Sequence, residues 1–236
     1  MYSKEIPPRT VLVTGAAQGI GKAIAFAFVR KGYYAVLADK ETKKLKHTVK
    51  ELRQFNPHVI GVRTNVFQEK DVARTVKMGL EKFGKIDFLV NNAGVALSKP
   101  LTETSGKEWE KVLDTNLKGS FLFCKHAVPA MEKEKFGVVV NIASGLGKHG
   151  MQSLSAYSAS KFGLIGLTES LADEVKDKGI KVFAICPGGV NTDMYKNLFT
   201  NYNPANLYKP ETIAEQVFKV CTESYLFKNG QSIELY

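Results

Sequence analysis

Short apolar runs alternate with longer helical stretches along almost the whole chain, and this alternation limits the fold more than any other feature. Val11–Val13, Ala35–Ala38, Val59–Val62, Phe88–Val90, Val138–Ile142 and Val182–Ile185 are short and apolar, several of them rich in valine, as buried parallel strands are. Between them Ile20–Arg30, Thr42–Phe55, Asp71–Phe83, Lys107–Glu132 and Ala156–Lys176 carry helical patterns. A further helix, Thr212–Thr222, and a short strand, Ser232–Leu235, follow. Such repetition predicts right-handed crossovers, and so an α/β fold: a doubly wound parallel sheet of about seven strands with helices on both faces. No linker or repeat interrupts the pattern, which predicts one domain over residues 1–236.

Composition narrows the class. Hydrophobic residues make up 44% and charged residues 24%, enough to build a large core and to argue against disorder. No run approaches the roughly 20 apolar residues that span a bilayer. Met1–Arg9 is polar, holds two prolines and lacks the apolar centre of a signal peptide. Cys124, Cys186 and Cys221 are far apart and odd in number, which suits a reduced compartment, offers no metal-ligand spacing and predicts the cytoplasm. The net charge of +10 has two readings, an acidic partner such as nucleic acid or a carrier protein, and a lysine-rich surface. The lysines are scattered and no basic stripe interleaves with aromatics, which favours the surface reading.

The first strand runs into Thr14-Gly15-Ala16-Ala17-Gln18-Gly19-Ile20-Gly21 and then a helix. Gly15 permits a tight turn, Gly19 lets backbone N–H groups approach a pyrophosphate, and Gly21 lets helix and strand pack closely. The N-terminus of that helix, at Ile20, attracts the anion. Asp39 ends the second strand, 18 residues beyond Gly21. A carboxylate there accepts hydrogen bonds from both adenosine ribose hydroxyls and repels a 2′-phosphate, so NAD is the expected cofactor. Lys40 is able to pair with such a phosphate, which leaves NADP open as the less favoured choice. Gln18 agrees with NAD, because it puts no positive charge beside the phosphate loop.

With Asn91-Asn92-Ala93-Gly94 after the fourth strand the pattern becomes specific. It is followed by Asn116, Ser144, Tyr157 with Lys161, and Pro187-Gly188-Gly189-Val190-Asn191-Thr192, with 13 residues from Ser144 to Tyr157. From about Thr10 to Thr192, and more loosely beyond, the chain resembles the short-chain dehydrogenase/reductase family. The resemblance implies a Rossmann-type fold and hydride transfer between a nicotinamide and an alcohol/carbonyl pair. It implies that Tyr157 exchanges the proton with the substrate oxygen, Lys161 also holds the nicotinamide ribose, Ser144 orients the reacting oxygen and Asn116 holds a relaying water. It places the Val190 backbone and Thr192 hydroxyl at the nicotinamide carboxamide and nearby phosphate, beside Pro187 and Gly188. Asn92, Ala93 and Gly94 fall along the cofactor, although Asn91 and Asn92 are expected chiefly to knit the end of the fourth strand. Gly188 and Tyr195 join Ser144 and Tyr157 around the substrate. The family usually has Asp-Val after the third strand, against adenine; here Asn65-Val66 stands there, and an amide oxygen accepts the same bond. Relatives usually continue past Ser232–Tyr236 into a glycine-rich tail.

Tyr157 and Lys161, four apart, share one helix face. A phenol with an ordinary pKa near 10 is about one part in a thousand ionised at pH 7. An ammonium about 4 Å away, at an effective dielectric near 20, favours the phenolate by up to about 4 kcal/mol, roughly three pKa units. The expectation is a tyrosine tuned near the working pH. Ser155–Thr168 holds no charge except Lys161, and Ala156, Ala159, Ser160, Gly163 and Gly166 recur in it. Both its sides are therefore expected to be covered, by the sheet and by a second subunit, in a homo-oligomer that is a tetramer or dimer. Residues 193–210 are expected to form a substrate lid, and Tyr195, Leu198, Phe199, Tyr202 and Leu207 point to an apolar or aromatic pocket. His149 reads as a loop residue and Trp109 as packing.

Three functions result. The first is an NAD-dependent enzyme acting on a small-molecule secondary alcohol or ketone, without nucleic acid, membrane or metal. The second is an NADPH-dependent 3-oxoacyl-(carrier protein) reductase. The third is a silent dinucleotide-binding sensor, against which the retention of Asn116, Ser144, Tyr157 and Lys161 argues.

Overall fold

The computed structural model describes residues 8–199 and 201–236. Its strands are β1 (Thr10–Thr14), β2 (Tyr34–Asp39), β3 (Val59–Arg63), β4 (Phe88–Asn91), β5 (Gly137–Ile142), β6 (Ile180–Pro187) and β7 (Ser232–Leu235). All pair in parallel, in one sheet of order β3-β2-β1-β4-β5-β6-β7. The order reverses between β1 and β4, so the loops leaving their carboxyl ends part in opposite directions and open a crevice.

The helices are α1 (Gly19–Val29), α2 (Thr42–Leu52), α3 (Glu69–Phe83), α4 (Gly106–Leu113), α5 (Gly119–Glu134), α6 (Ser155–Glu174), α7 (Asp193–Leu198) and α8 (Pro210–Thr222). Alternate strand residues serve opposite faces. Val11, Val13, Leu37, Phe88 and Val140 pack with α1, α2 and α8, whereas Leu12, Val36, Leu89 and Val139 pack with α3 and α5. Both faces of each central strand are thus apolar, which is why these runs show valine without polar alternation. Phe28 of α1 anchors the first layer, 5.0 Å from Phe218, 5.4 Å from Tyr33 and 5.6 Å from Phe88 between ring centres. Truncating such a side chain to alanine costs about 3–5 kcal/mol.

The structure departs from the pattern in three places. The predicted helix Lys107–Glu132 is two helices, α4 and α5, joined by a π-helical turn at Asp114–Lys118. A capping box starts α4: the Ser105 hydroxyl accepts from the Glu108 N–H, and the Glu108 carboxylate accepts from the Ser105 N–H. The predicted Thr42–Phe55 ends earlier, at Leu52. Within the segment expected to cover the site, Asp193–Leu198 forms α7; residue 200 of that segment lies outside the described residues. No helix among the described residues is long and apolar enough to cross a membrane.

Candidate active site

The loop from β1 to α1 is locked to the end of β4. The Thr14 hydroxyl accepts from the Asn92 and Ala93 N–H groups, each at 2.9 Å, and the Asn92 amide donates to the Thr14 carbonyl at 2.9 Å. Gly15 has φ +64°, and a β-carbon there would lie 2.9 Å from the Ala93 Cα. A β-carbon on Gly21 would come within 2.2 Å of the Gly15 carbonyl oxygen and 2.5 Å of the Asn92 amide nitrogen. Gly21 therefore does not line the cleft; it lets α1 approach the loop whose Gly15, Gln18, Gly19 and Ile20 do line it. Asn91, as expected, knits strands: its amide donates to the Asn141 side chain, which in turn donates to the Thr168 hydroxyl.

Asp39, at the end of β2, is nearly buried. One carboxylate oxygen accepts from the Ala17 N–H and the other from the Glu41 N–H, each at 2.9 Å. Each oxygen keeps a further lone pair for a diol. The expectation of no positive charge beside this loop is corrected. Thr48 donates to the Ala17 carbonyl at 3.1 Å and so ties α2 to the loop; one turn earlier, the Lys44 ammonium donates to the Gln18 side chain at 2.5 Å. Lys22 and Lys43 border the same shelf.

At the carboxyl end of β5, Ser144 begins a short 3₁₀ turn and accepts from the Leu146 N–H at 3.1 Å. Tyr157 and Lys161 reach the same place from α6. Lys161 is only 4% exposed, lies 5.6 Å from the centre of the Tyr157 ring, and donates to the Ile142 carbonyl at 2.7 Å. Desolvation lowers its ammonium to a pKa of about 8. The expected depression of Tyr157 is not what this geometry gives: burial pushes the phenol above its ordinary value, opposed by a hydrogen bond with Ser144. The Lys161 ammonium is turned to the Ile142 carbonyl, and desolvation is the largest influence on the phenol.

Asn116 stands in the π-helical turn and is buried, but not on the cleft wall. Its amide donates to the Val95 carbonyl and the Ser160 hydroxyl, each at 2.9 Å, and its oxygen accepts from the Val95 N–H at 2.8 Å. With both amide protons used, the side chain positions the loop after β4 against α6.

The family profile described as short chain dehydrogenase matches residues 9–203. The chain belongs to the short-chain dehydrogenase family. A 3-oxoacyl-(acyl-carrier-protein) reductase of Thermotoga maritima is 32% identical over 233 residues, covering 95% of each chain. An uncharacterised oxidoreductase of the same organism is 38% identical over 205 residues, 86% of this chain and 81% of its own. The crystal structure of levodione reductase superposes with a TM-score of 0.90 at 29% identity, covering 96% of this chain and 95% of that one. As a short-chain dehydrogenase, the protein is an oxidoreductase of CH–OH/C=O groups that takes a nicotinamide cofactor.

The residues present fit such a cofactor in this short-chain dehydrogenase. The cleft holds about 1450 Å³ and runs from Asp39 and Lys40, over the glycine loop, to Ser144 and Tyr157. Asn65, Val66, Asn92, Ala93 and Gly94 line its length, and Pro187, Gly188, Val190 and Thr192 line the wall after β6. Tyr195, Leu198 and Phe199 face the cleft; Tyr202 instead packs edge-on against Tyr195 at 5.6 Å, and Leu207 backs Gly189. Sequence reasoning missed Lys44, Met151 and Tyr236 on the wall, and read His149, which also lines it, as a loop residue. The spacing of Lys44 and Thr48 on one face of α2 was a usable signal; nothing local marked Tyr236.

Proposed function

We propose that the protein transfers hydride between NAD and a secondary alcohol/ketone pair, with Tyr157 as the proton-exchanging residue. The bound nicotinamide would supply or accept the hydride. Asp39 and the Gly15–Gly21 loop would hold its adenosine and pyrophosphate, and Lys161 its nicotinamide ribose. The neutral phenol of Tyr157, kept protonated by burial, would donate to a carbonyl oxygen in reduction, while Ser144 fixes that oxygen beside it. In oxidation the Tyr157 phenolate, stabilised by the Lys161 ammonium, would accept the alcohol proton and become the phenol. Asn116 would act as a positioning residue.

The observation that carries this reading is the convergence of Ser144, Tyr157 and Lys161 in the same cleft that Asp39 and the glycine loop enter from the other side. NADH and NADPH titrations followed by nicotinamide fluorescence, with Tyr157→Phe as control, test it. Wild type and variant should both bind NADH, with turnover in the variant lower by about 10²–10⁴. Binding of neither dinucleotide would defeat the reading.

A second reading, reduction of 3-oxoacyl thioesters with NADPH, is favoured by the Thermotoga maritima relative and by Lys44 at the glycine loop. Tighter binding of NADPH than NADH would move it to first place. We also propose a cytoplasmic homo-oligomer, tetramer or dimer. All three cysteines are free and buried, and Phe121 of α5 and Phe162 of α6 are 47% and 46% exposed on the surface where a second subunit is expected.

A further inference from the structure

The sheet order divides the cleft into two chemically different halves. Over β3, β2 and β1 lie Asp39, Lys40, Glu41 and Lys44, all at the end of β2 or the start of α2. Over β4 to β7 the only Lys, Arg, Asp or Glu side chains on the wall are Lys161 and Asp193, among the described residues. Asp193 also borders the shelf formed by Ala17, Gln18, Gly19 and Lys22, so it stands toward the glycine loop, and its charge repels anions. Lys161 is buried beneath Tyr157 with its ammonium given to the Ile142 carbonyl.

What remains on this wall is uncharged and mostly apolar, Leu97, Leu146, Met151, Met194, Tyr195 and Phe199 beside the polar Thr115 and Asn197. Ser98 adds a hydroxyl, and His149 stands exposed at the rim. A carboxylate or phosphate brought here would lose water and meet no counter-ion, an unfavourable exchange. The net charge of +10 acts in the opposite sense, drawing anions to the surface. Discrimination against them must therefore arise inside the cleft.

We infer that this half of the cleft selects a ketone or alcohol whose body is apolar and uncharged, and rejects its carboxylated and phosphorylated analogues. The inference rests on the oxidoreductase reading above and gives its substrate class.

Matched pairs of one skeleton test it: methyl acetylbenzoate against acetylbenzoate, and ethyl acetoacetate against acetoacetate. With NADH, kcat/KM for the esters is expected to exceed that for the acids by about a hundredfold. With NAD bound, the ester and not the acid should raise the melting temperature. Met151→Arg and Met194→Arg place a guanidinium at exposed positions of the wall (46% and 38% exposed), and at least one should raise kcat/KM for an acid fivefold or more. Discrimination below tenfold in the wild type, or unchanged in both arginine variants, overturns the proposal. NADH binding without turnover of any member of the pairs overturns it as well. NADH binding measured separately distinguishes these failures from failure of the oxidoreductase reading, which is defeated when neither NADH nor NADPH binds.

Discussion

The Lys161 ammonium lies 5.6 Å from the centre of the Tyr157 ring, yet its own hydrogen bond runs to the Ile142 carbonyl at 2.7 Å. The lysine is thus held for a charge that the resting site does not contain, and its burial opposes its own protonation. Its pKa of about 8 stands against 10.5 for an ordinary lysine. Between those values the unfolded chain binds a proton that the folded chain has released. The contribution to stability is therefore full above about pH 10.5 and is lost as pH falls through about 8.

Lys161→Met should consequently disable the enzyme without weakening the fold. We expect turnover to fall by about 10² or more. The melting temperature at pH 7 should rise by about 2–6 °C, after allowance for the donor lost to Ile142. This advantage should shrink in scans at pH 9.5. A variant less stable than wild type at pH 7 would show that the hydrogen bond to Ile142 outweighs the buried charge.

Gly21→Ala tests the close approach of α1. The added β-carbon meets a backbone carbonyl at 2.2 Å, so the helix must withdraw or the loop must turn. Destabilisation of about 1–3 kcal/mol is expected in urea unfolding, with NADH affinity reduced at least tenfold. An unchanged midpoint would mean that the loop relaxes freely.

Lys44→Glu tests the cation beside Gln18. The substitution reverses the charge at the rim where a 2′-phosphate would sit. NADPH binding should weaken by about tenfold, with a much smaller change for NADH, and the difference should diminish at high salt because Lys44 is exposed. Equal loss for both dinucleotides would instead assign Lys44 to loop packing.

The central strands, and the meeting of Ser144, Tyr157 and Lys161 in one cleft, were legible because each depends on a local signal: a buried apolar run, or a motif at fixed spacing. The π-helical turn was not. Residues Asp114–Lys118 look like any helix in composition; the wider turn goes with tertiary bonds from Asn116 to Val95, 21 residues away, and to Ser160, 44 residues away. Lys44 and Gln18 are similarly 26 residues apart, joined only once α2 is docked by Thr48. The raised pKa of Tyr157 was not legible for a related reason. Four-residue spacing puts two side chains on one face but says nothing of which acceptor the ammonium turns toward.

Phe162→Lys tests the exposed apolar face of α6. In sedimentation, wild type should run as a dimer or tetramer and the variant should shift toward the 26.0 kDa monomer. A wild type that is itself monomeric at micromolar concentration would remove the need for a second subunit.

The wider turn at Asp114–Lys118 also breaks the phase of what would otherwise be one rod. α4 rests against α6, while α5, immediately after it, rests against α3 and β5. Removing a single residue here would draw the wide turn back to a regular α-helical one, at about 100° per residue, and change the direction in which Asn116 points. Either Asn116 would swing out of its bonds or one of the two helices would lose its seat. The length of this segment is therefore fixed more tightly than its sequence, and substitutions within it should be tolerated where deletions are not.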